Sequence, residues 1–149
     1  MSKGGGGAAT LMRYVRLRVP AGQAKPSPAL GQALGPLGLN MMMFCKSFNE
    51  RTQHFRAGVP LRVKLSAFSD RTFTFTTKNP PTSWLIKQAA GIEKGAKDRS
   101  ENVGSVDVRQ VYEIAKLKLQ DDGMDHLSLR QMCDNIVHNC YNMGVSVTK

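Results

Sequence analysis

All of the excess positive charge of this chain lies in its first half. Residues 1–79 hold twelve Lys and Arg against two acids, Glu50 and Asp70, whereas residues 80–149 hold nine of each sign. An asymmetry this sharp suggests a domain boundary, and the step coincides with Lys78-Asn79-Pro80-Pro81. Two consecutive prolines remove two backbone donors, and the first biases Asn79 toward an extended conformation. The sequence therefore predicts an α+β protein of two domains of about 70 residues each. These are residues 11–79 and 80–149, joined by a short, semi-rigid linker. Residues 1–10 (MSKGGGGAAT) read as a flexible tail, because four consecutive glycines lose too much entropy on ordering. With 41% apolar residues, the chain can bury cores without staples. No stretch approaches the roughly 20 apolar residues of a membrane helix, and no membrane partner is expected. Three unclustered cysteines argue for a reducing compartment rather than a disulfide scaffold. The net charge of +10 points to a polyanionic partner, nucleic acid before an acidic membrane surface.

In the first half, Val15, Leu17 and Val19 alternate with Arg16 and Arg18, the period of a strand with one wet, basic face. Residues 20–38 carry four Gly and four Pro and read as an ordered loop rather than a regular element. Asn40 caps a helix to about Arg51, with Met41, Phe44, Cys45 and Phe48 inward. Two strands around a Ser69-Asp70 turn complete a β-α-β-β domain. The second half reads as about three helices. The first runs from Pro81–Ser83 to Ala90 and ends at Gly91. Residues 91–106 are a mobile, patternless loop. Asp107 with Gln110 and Ser128 with Gln131 form capping boxes for the next two helices. Val108, Val111, Tyr112, Ala115 and Leu119 form the apolar stripe of the second helix, and Val145-Ser146-Val147 a short closing strand.

Catalytic patterns are missing. His54, His126 and His138 are far apart, and no nucleophile stands beside a base, so no enzyme is expected. Cys133, His138 and Cys140 lack zinc spacing and read as buried thiols and an outward imidazole; no metal or cofactor is expected. Met41-Met42-Met43 reads as helix core. Gly35-Pro36-Leu37-Gly38 has the G-x-x-G spacing of an RNA clamp without its helix–loop–helix frame. The basic strand face (Arg13, Arg16 and Arg18, with Arg62 and Lys64 if the strands pair) reads equally as a phosphate contact or as a solvated edge.

Five collinear segments carry a resemblance. AGQAKPSPALGQALGPLGLN (Ala21–Asn40), FCKSFNERT (Phe44–Thr52), DRTFTF (Asp70–Phe75), PPTSWLIKQAAGIEKG (Pro80–Gly95) and VYEIAKLK (Val111–Lys118) resemble the large-subunit ribosomal protein L-eleven family. The resemblance spans about Val15 to Val147. It implies a non-enzymatic ribonucleoprotein constituent at the stalk base, the GTPase-associated centre, monomeric within the ribosome. The C-terminal helical domain would bind large-subunit rRNA. The N-terminal domain would help dock translational GTPases (elongation factors) beside the other stalk-base ribosomal proteins. By position, the resemblance puts Gly91, Lys94, Lys97, Arg99, Arg109, Lys116, Lys118, Asn139, Tyr141 and Gly144 at the rRNA. Pro26, Ser27, Pro28 and Gly31 would face the factors. Beyond the family pattern, the charge of the first half makes Arg16, Arg18 and Arg62 an extra contact to rRNA or anionic neighbours.

Two departures stand out. The family's Gly-Thr-Ala-Arg-Ser-Met-Gly at the end of the last helix reads here His138-Asn139-Cys140-Tyr141-Asn142-Met143-Gly144. Two prolines of the antibiotic-contacting segment are Ala29 and Gln32, which implies weak thiopeptide sensitivity. The phrases FNERT, DRTFTF and VYEIAKLKLQD are most similar to mitochondrial members, ahead of plastid or bacterial ones. A strand beginning near Leu11 would leave room only for a very short or uncleaved presequence. The alternative in another class is a free RNA- or protein-binding regulatory module acting off the ribosome.

Overall fold

A computed structural model describes residues 8–149. The glycine run of the expected tail lies outside these residues. Thr10 is already anchored, its backbone N–H donating to Ser69 Oγ at 3.1 Å. The chain divides between Lys78 and Asn79 into two compact units, each with its own apolar core.

The first unit runs β1 (Leu11–Pro20), α1 (Pro28–Leu34), a 3-10 turn (Gly35–Leu37), α2 (Met41–Arg51), β2 (Pro60–Phe68) and β3 (Phe73–Lys78). The strands form an antiparallel sheet in the order β1-β2-β3. Val15 pairs with Leu65 and Leu17 with Val63, while Leu65 pairs with Phe75, so odd-numbered residues turn toward the helices. There Phe44 and Phe48 pack on Phe75, with ring centroids 5.4 and 6.4 Å apart. α2 starts where the sequence places it, because Asn40 Oδ1 accepts the Met42 and Met43 N–H groups at 3.0 and 3.2 Å.

Three details of this unit differ from expectation. Part of the Gly/Pro-rich stretch is helical: Ser27 Oγ accepts the Leu30 N–H at 3.3 Å and Pro28 occupies the first turn of α1. Proline is tolerated there because the first N–H groups of a helix have no internal partner. Of the methionine run, only Met41 packs on the core; Met42 and Met43 are exposed. Arg13 shares strand parity with Val15 and so lies on the face opposite Arg16.

The second unit runs α3 (Thr82–Ala90), β4 (Gly104–Asp107), α4 (Val108–Leu119), α5 (Leu129–Asn142) and β5 (Val145–Thr148). Both capping boxes form. Asp107 Oδ1 accepts the Arg109 N–H at 2.7 Å and Gln110 Oε1 the Asp107 N–H at 3.0 Å. Ser128 Oγ accepts the Gln131 N–H at 3.2 Å and Gln131 Oε1 the Ser128 N–H at 2.9 Å. The end of the supposedly patternless loop is a strand: β4 pairs in parallel with β5, Val106 facing Val147. The apolar stripe of α4 is also rotated. Val111, Ile114, Ala115 and Lys118 are buried, whereas Val108 and Tyr112 are exposed. The i, i+3, i+4, i+7 spacing of the buried four is regular, but a lysine fills its last place.

That lysine explains the Pro-Pro segment. Lys118 Nζ donates to Asp121 Oδ2 at 2.7 Å and to the Pro80 carbonyl at 3.3 Å, and its side chain is 3% exposed. Asp121 Oδ1 accepts the Asn79 N–H at 2.8 Å, and Asn79 Nδ2 donates to the Leu117 carbonyl at 2.9 Å. Asn79-Pro80 is therefore part of the second unit rather than a solvated linker.

Two predictions follow from this packing. Lys118→Ala leaves a buried carboxylate unpaired and should cost about 3–5 kcal/mol in urea unfolding of the second unit. Lys118→Met with Asp121→Asn, which keeps an acceptor for the Asn79 N–H, should recover most of that loss. Gly144 and Gly91 both have positive φ, at 73° and 69°. A Cβ on Gly144 would overlap the Glu101 carbonyl and Ala96, while one on Gly91 meets nothing within 4 Å. Gly144→Ala should thus destabilise by roughly 2–5 kcal/mol, and Gly91→Ala by only about 1 kcal/mol.

Candidate nucleic-acid interface

Backbone hydrogen bonds seat the 91–103 loop on the end of α5. The Ala96 N–H donates to the Met143 carbonyl and the Val103 N–H to the Gly144 carbonyl, each at 2.9 Å. This seating brings Arg99 and Tyr141 together around one shallow recess of about 160 Å³, which Ser100, Glu101 and Asn102 also line. Tyr141 is 61% exposed, a large ring held open to solvent. Lys94 and Lys97 project from the same loop, and Asn139 and Val137 are exposed on α5. Gly91 is exposed at the left-handed C-cap of α3, so its backbone is open to close approach.

On α4, Arg109 and Lys116 lie seven residues apart, on one exposed face. Lys116 Nζ is 3.4 Å from Glu113 Oε1 and 4.7 Å from the Tyr112 ring centroid. Sequence reasoning missed Tyr112 as a surface aromatic. The signal was present in Ile114, which completes the buried spacing with Val111, Ala115 and Lys118 and so turns Tyr112 outward.

One residue expected at RNA is elsewhere: Lys118 is buried and ion-paired, so it presents no charge to a ligand. Gly144 is buried under the 96–101 segment, where a Cβ would not fit, and its backbone lines the recess beside Tyr141.

In the first unit, Pro26 and Pro28 are exposed at the start of α1, with Ser27 and Gly31 half-buried. The Ser27 hydroxyl is engaged as the helix cap. Arg16, Arg18 and Arg62 are exposed on the sheet face turned away from the helices.

No group of three His, Cys, Asp or Glu is placed to hold a metal among the described residues. Burial raises the thiol pKa of Cys45, Cys133 and Cys140, and Asp134 raises that of Cys133 further. All three should stay protonated at neutral pH and be alkylated by iodoacetamide more slowly in the folded chain than in urea. Equal rates in the two states would contradict their placement.

Comparison with known proteins agrees with this geometry. A family model described as ribosomal protein L11, N-terminal domain, matches residues 15–73, and one described as ribosomal protein L11, RNA binding domain, matches residues 78–147. The large ribosomal subunit protein uL11m of Caenorhabditis elegans is 41% identical over 133 residues, which cover 89% of this chain and 68% of the relative. With both halves of the chain matched, this protein belongs to the ribosomal protein L11 family.

Proposed function

We propose that this protein serves at the stalk base of the mitochondrial large ribosomal subunit. It is a structural, non-enzymatic constituent of the ribosome and binds large-subunit rRNA. Residues 80–149 grip the rRNA, and residues 11–79 face the translational GTPases, with Pro26, Ser27, Pro28 and Gly31 on the factor side. It acts without chemistry of its own, by fixing an RNA fold and offering a docking surface as a single copy among the stalk-base proteins.

The observation that carries this reading is the recess shared by Arg99 and Tyr141. A guanidinium suits phosphate, and an exposed ring beside it suits a splayed base. Where the family has a small residue and an arginine, this chain offers an Asn139 amide and the Tyr141 ring, so the contact changes from ionic to stacking. Lys94, Lys97, Arg109 and Lys116 supply phosphate contacts around it, while Lys118 and Asp121 neutralise each other inside. With eight cations and eight acids left outside that pair, the contact rests on where individual cations stand rather than on net charge.

Each phosphate contact releases counterions, so affinity for the stalk-base rRNA fragment should fall steeply with salt. Tyr141→Ala should cost about 1–3 kcal/mol of that affinity, as for one stacked base, whereas Tyr141→Phe should bind like the parent. Filter binding with the full chain measures both. Equal affinity for an unrelated RNA hairpin, or failure to comigrate with large subunits on a sucrose gradient, would favour a regulatory role off the ribosome.

A further inference from the structure

The outer face of the β1-β2-β3 sheet is a lattice of three rows. Arg18, Arg62 and Lys78 stand side by side across the strands, followed by Arg16, Lys64 and Thr76, then Tyr14, Ser66 and Thr74. Five of these nine residues are cations and three carry hydroxyls. The ninth, Tyr14, is 54% exposed, with Lys64 Nζ 4.5 Å from its ring centroid. The cations border a concavity of about 380 Å³.

Like charges directly opposite across a strand pair destabilise a sheet. Arg16 faces Lys64 and Arg18 faces Arg62. No carboxylate lies within 4.0 Å of any of these four among the described residues. The sheet needs none of them for its core, which is built from the odd-numbered positions. Apart from the Tyr14 ring beside Lys64, these two pairs have no compensating partner among the described residues, and a bound polyanion would relieve the repulsion.

We infer that this face is a second RNA-binding surface, which holds a phosphate backbone across the Arg16, Arg18, Arg62 and Lys64 rows with Tyr14 against a base or sugar. The chemistry of the lattice selects RNA over other polyanions. Guanidinium groups grip phosphate oxygens in pairs, and Ser and Thr hydroxyls bond phosphate and ribose oxygens. An exposed tyrosine stacks on any base. The apolar centre of a protein interface or the inserting side chains of a bilayer anchor would need more than Tyr14, the one large apolar ring in the lattice. The inference rests on the ribosomal reading above, which supplies the RNA, but concerns a sheet face to which that reading gives no role.

A photo-crosslinking residue is placed at Thr76, in the lattice, or at Val137, on the exposed side of α5, in the full chain assembled into large subunits. RNA adducts from Thr76 are expected. Protein or lipid adducts there, or none, overturn the inference. RNA adducts from Val137 without any from Thr76 overturn it alone, whereas none from either position overturns the proposed rRNA grip of the second unit as well. Independently, the isolated full chain is titrated with a 30-nucleotide mixed-sequence single-stranded RNA. In the triple variant Arg16→Gln, Arg18→Gln, Arg62→Gln, the slope of log affinity against log salt should shrink by about 2, three lost contacts at about 0.7 each. The melting temperature should not fall, since the repulsion is removed. An unchanged slope in a folded variant overturns the inference.

Discussion

A buried ion pair fixes where the second unit begins. Lys118 and Asp121, with side chains 3% and 2% exposed, hold each other at 2.7 Å and spend their remaining capacity on the Pro80 carbonyl and the Asn79 N–H. Neither charge could be buried alone, and neither is worth much as a pair unless its other bonds are satisfied. Here the partners are backbone groups of the segment that opens the unit. Pro80 and Pro81 cannot donate backbone hydrogen bonds, so side chains must supply the anchoring that a ladder or a helix turn would give. The same pair closes the apolar stripe of α4. Its geometry thus sets both the path of the incoming chain and the rotation of α4, and that rotation places Arg109, Tyr112 and Lys116 outside.

The pair removes one cation and one acid together, so eight of each sign remain outside it and the unit stays neutral toward solvent. Lys94, Lys97 and Arg99 sit in a loop tied to the end of α5 through Ala96 and Val103, with an open tyrosine beside Arg99. Gly144 makes this possible from within, since only a residue without a Cβ lets the 96–101 segment lie against the turn into β5. In the first unit the logic is reversed. Arg16, Arg18, Arg62 and Lys64 stand opposite one another on one sheet face, with no carboxylate within 4.0 Å of them among the described residues.

Local chemistry was legible in the sequence wherever it was local. Asn40, Asp107 with Gln110, and Ser128 with Gln131 start α2, α4 and α5 as their side chains dictate, and Gly91 ends α3. The alternation in β1, β2 and β3 gave the sheet and its faces, including the basic one. What escaped depends on partners distant in sequence or on a local signal masked by composition. β4 is short and polar and exists because β5 pairs with it. α1 was hidden by prolines, one of which is well placed in its first turn. Lys118 is placed at RNA by the resemblance, and nothing local contradicts this because a lysine on a helix is normally solvated. Only the fold brings Asp121, Asn79 and Pro80 to it. Met42 and Met43 followed the composition of a core run, but the helix period leaves them outside.

In the proposed function the second unit meets rRNA through the 94–103 loop and the outer side of α5, while the Lys118–Asp121 anchor stays closed. Hydrogen exchange on the full chain, with and without its stalk-base rRNA fragment, tests this most directly. New protection concentrated at residues 94–103 and 137–143, with exchange around Asn79 and Asp121 unchanged, is the predicted result. Protection absent from both segments, or opening of the Asn79–Asp121 region on binding, would contradict it.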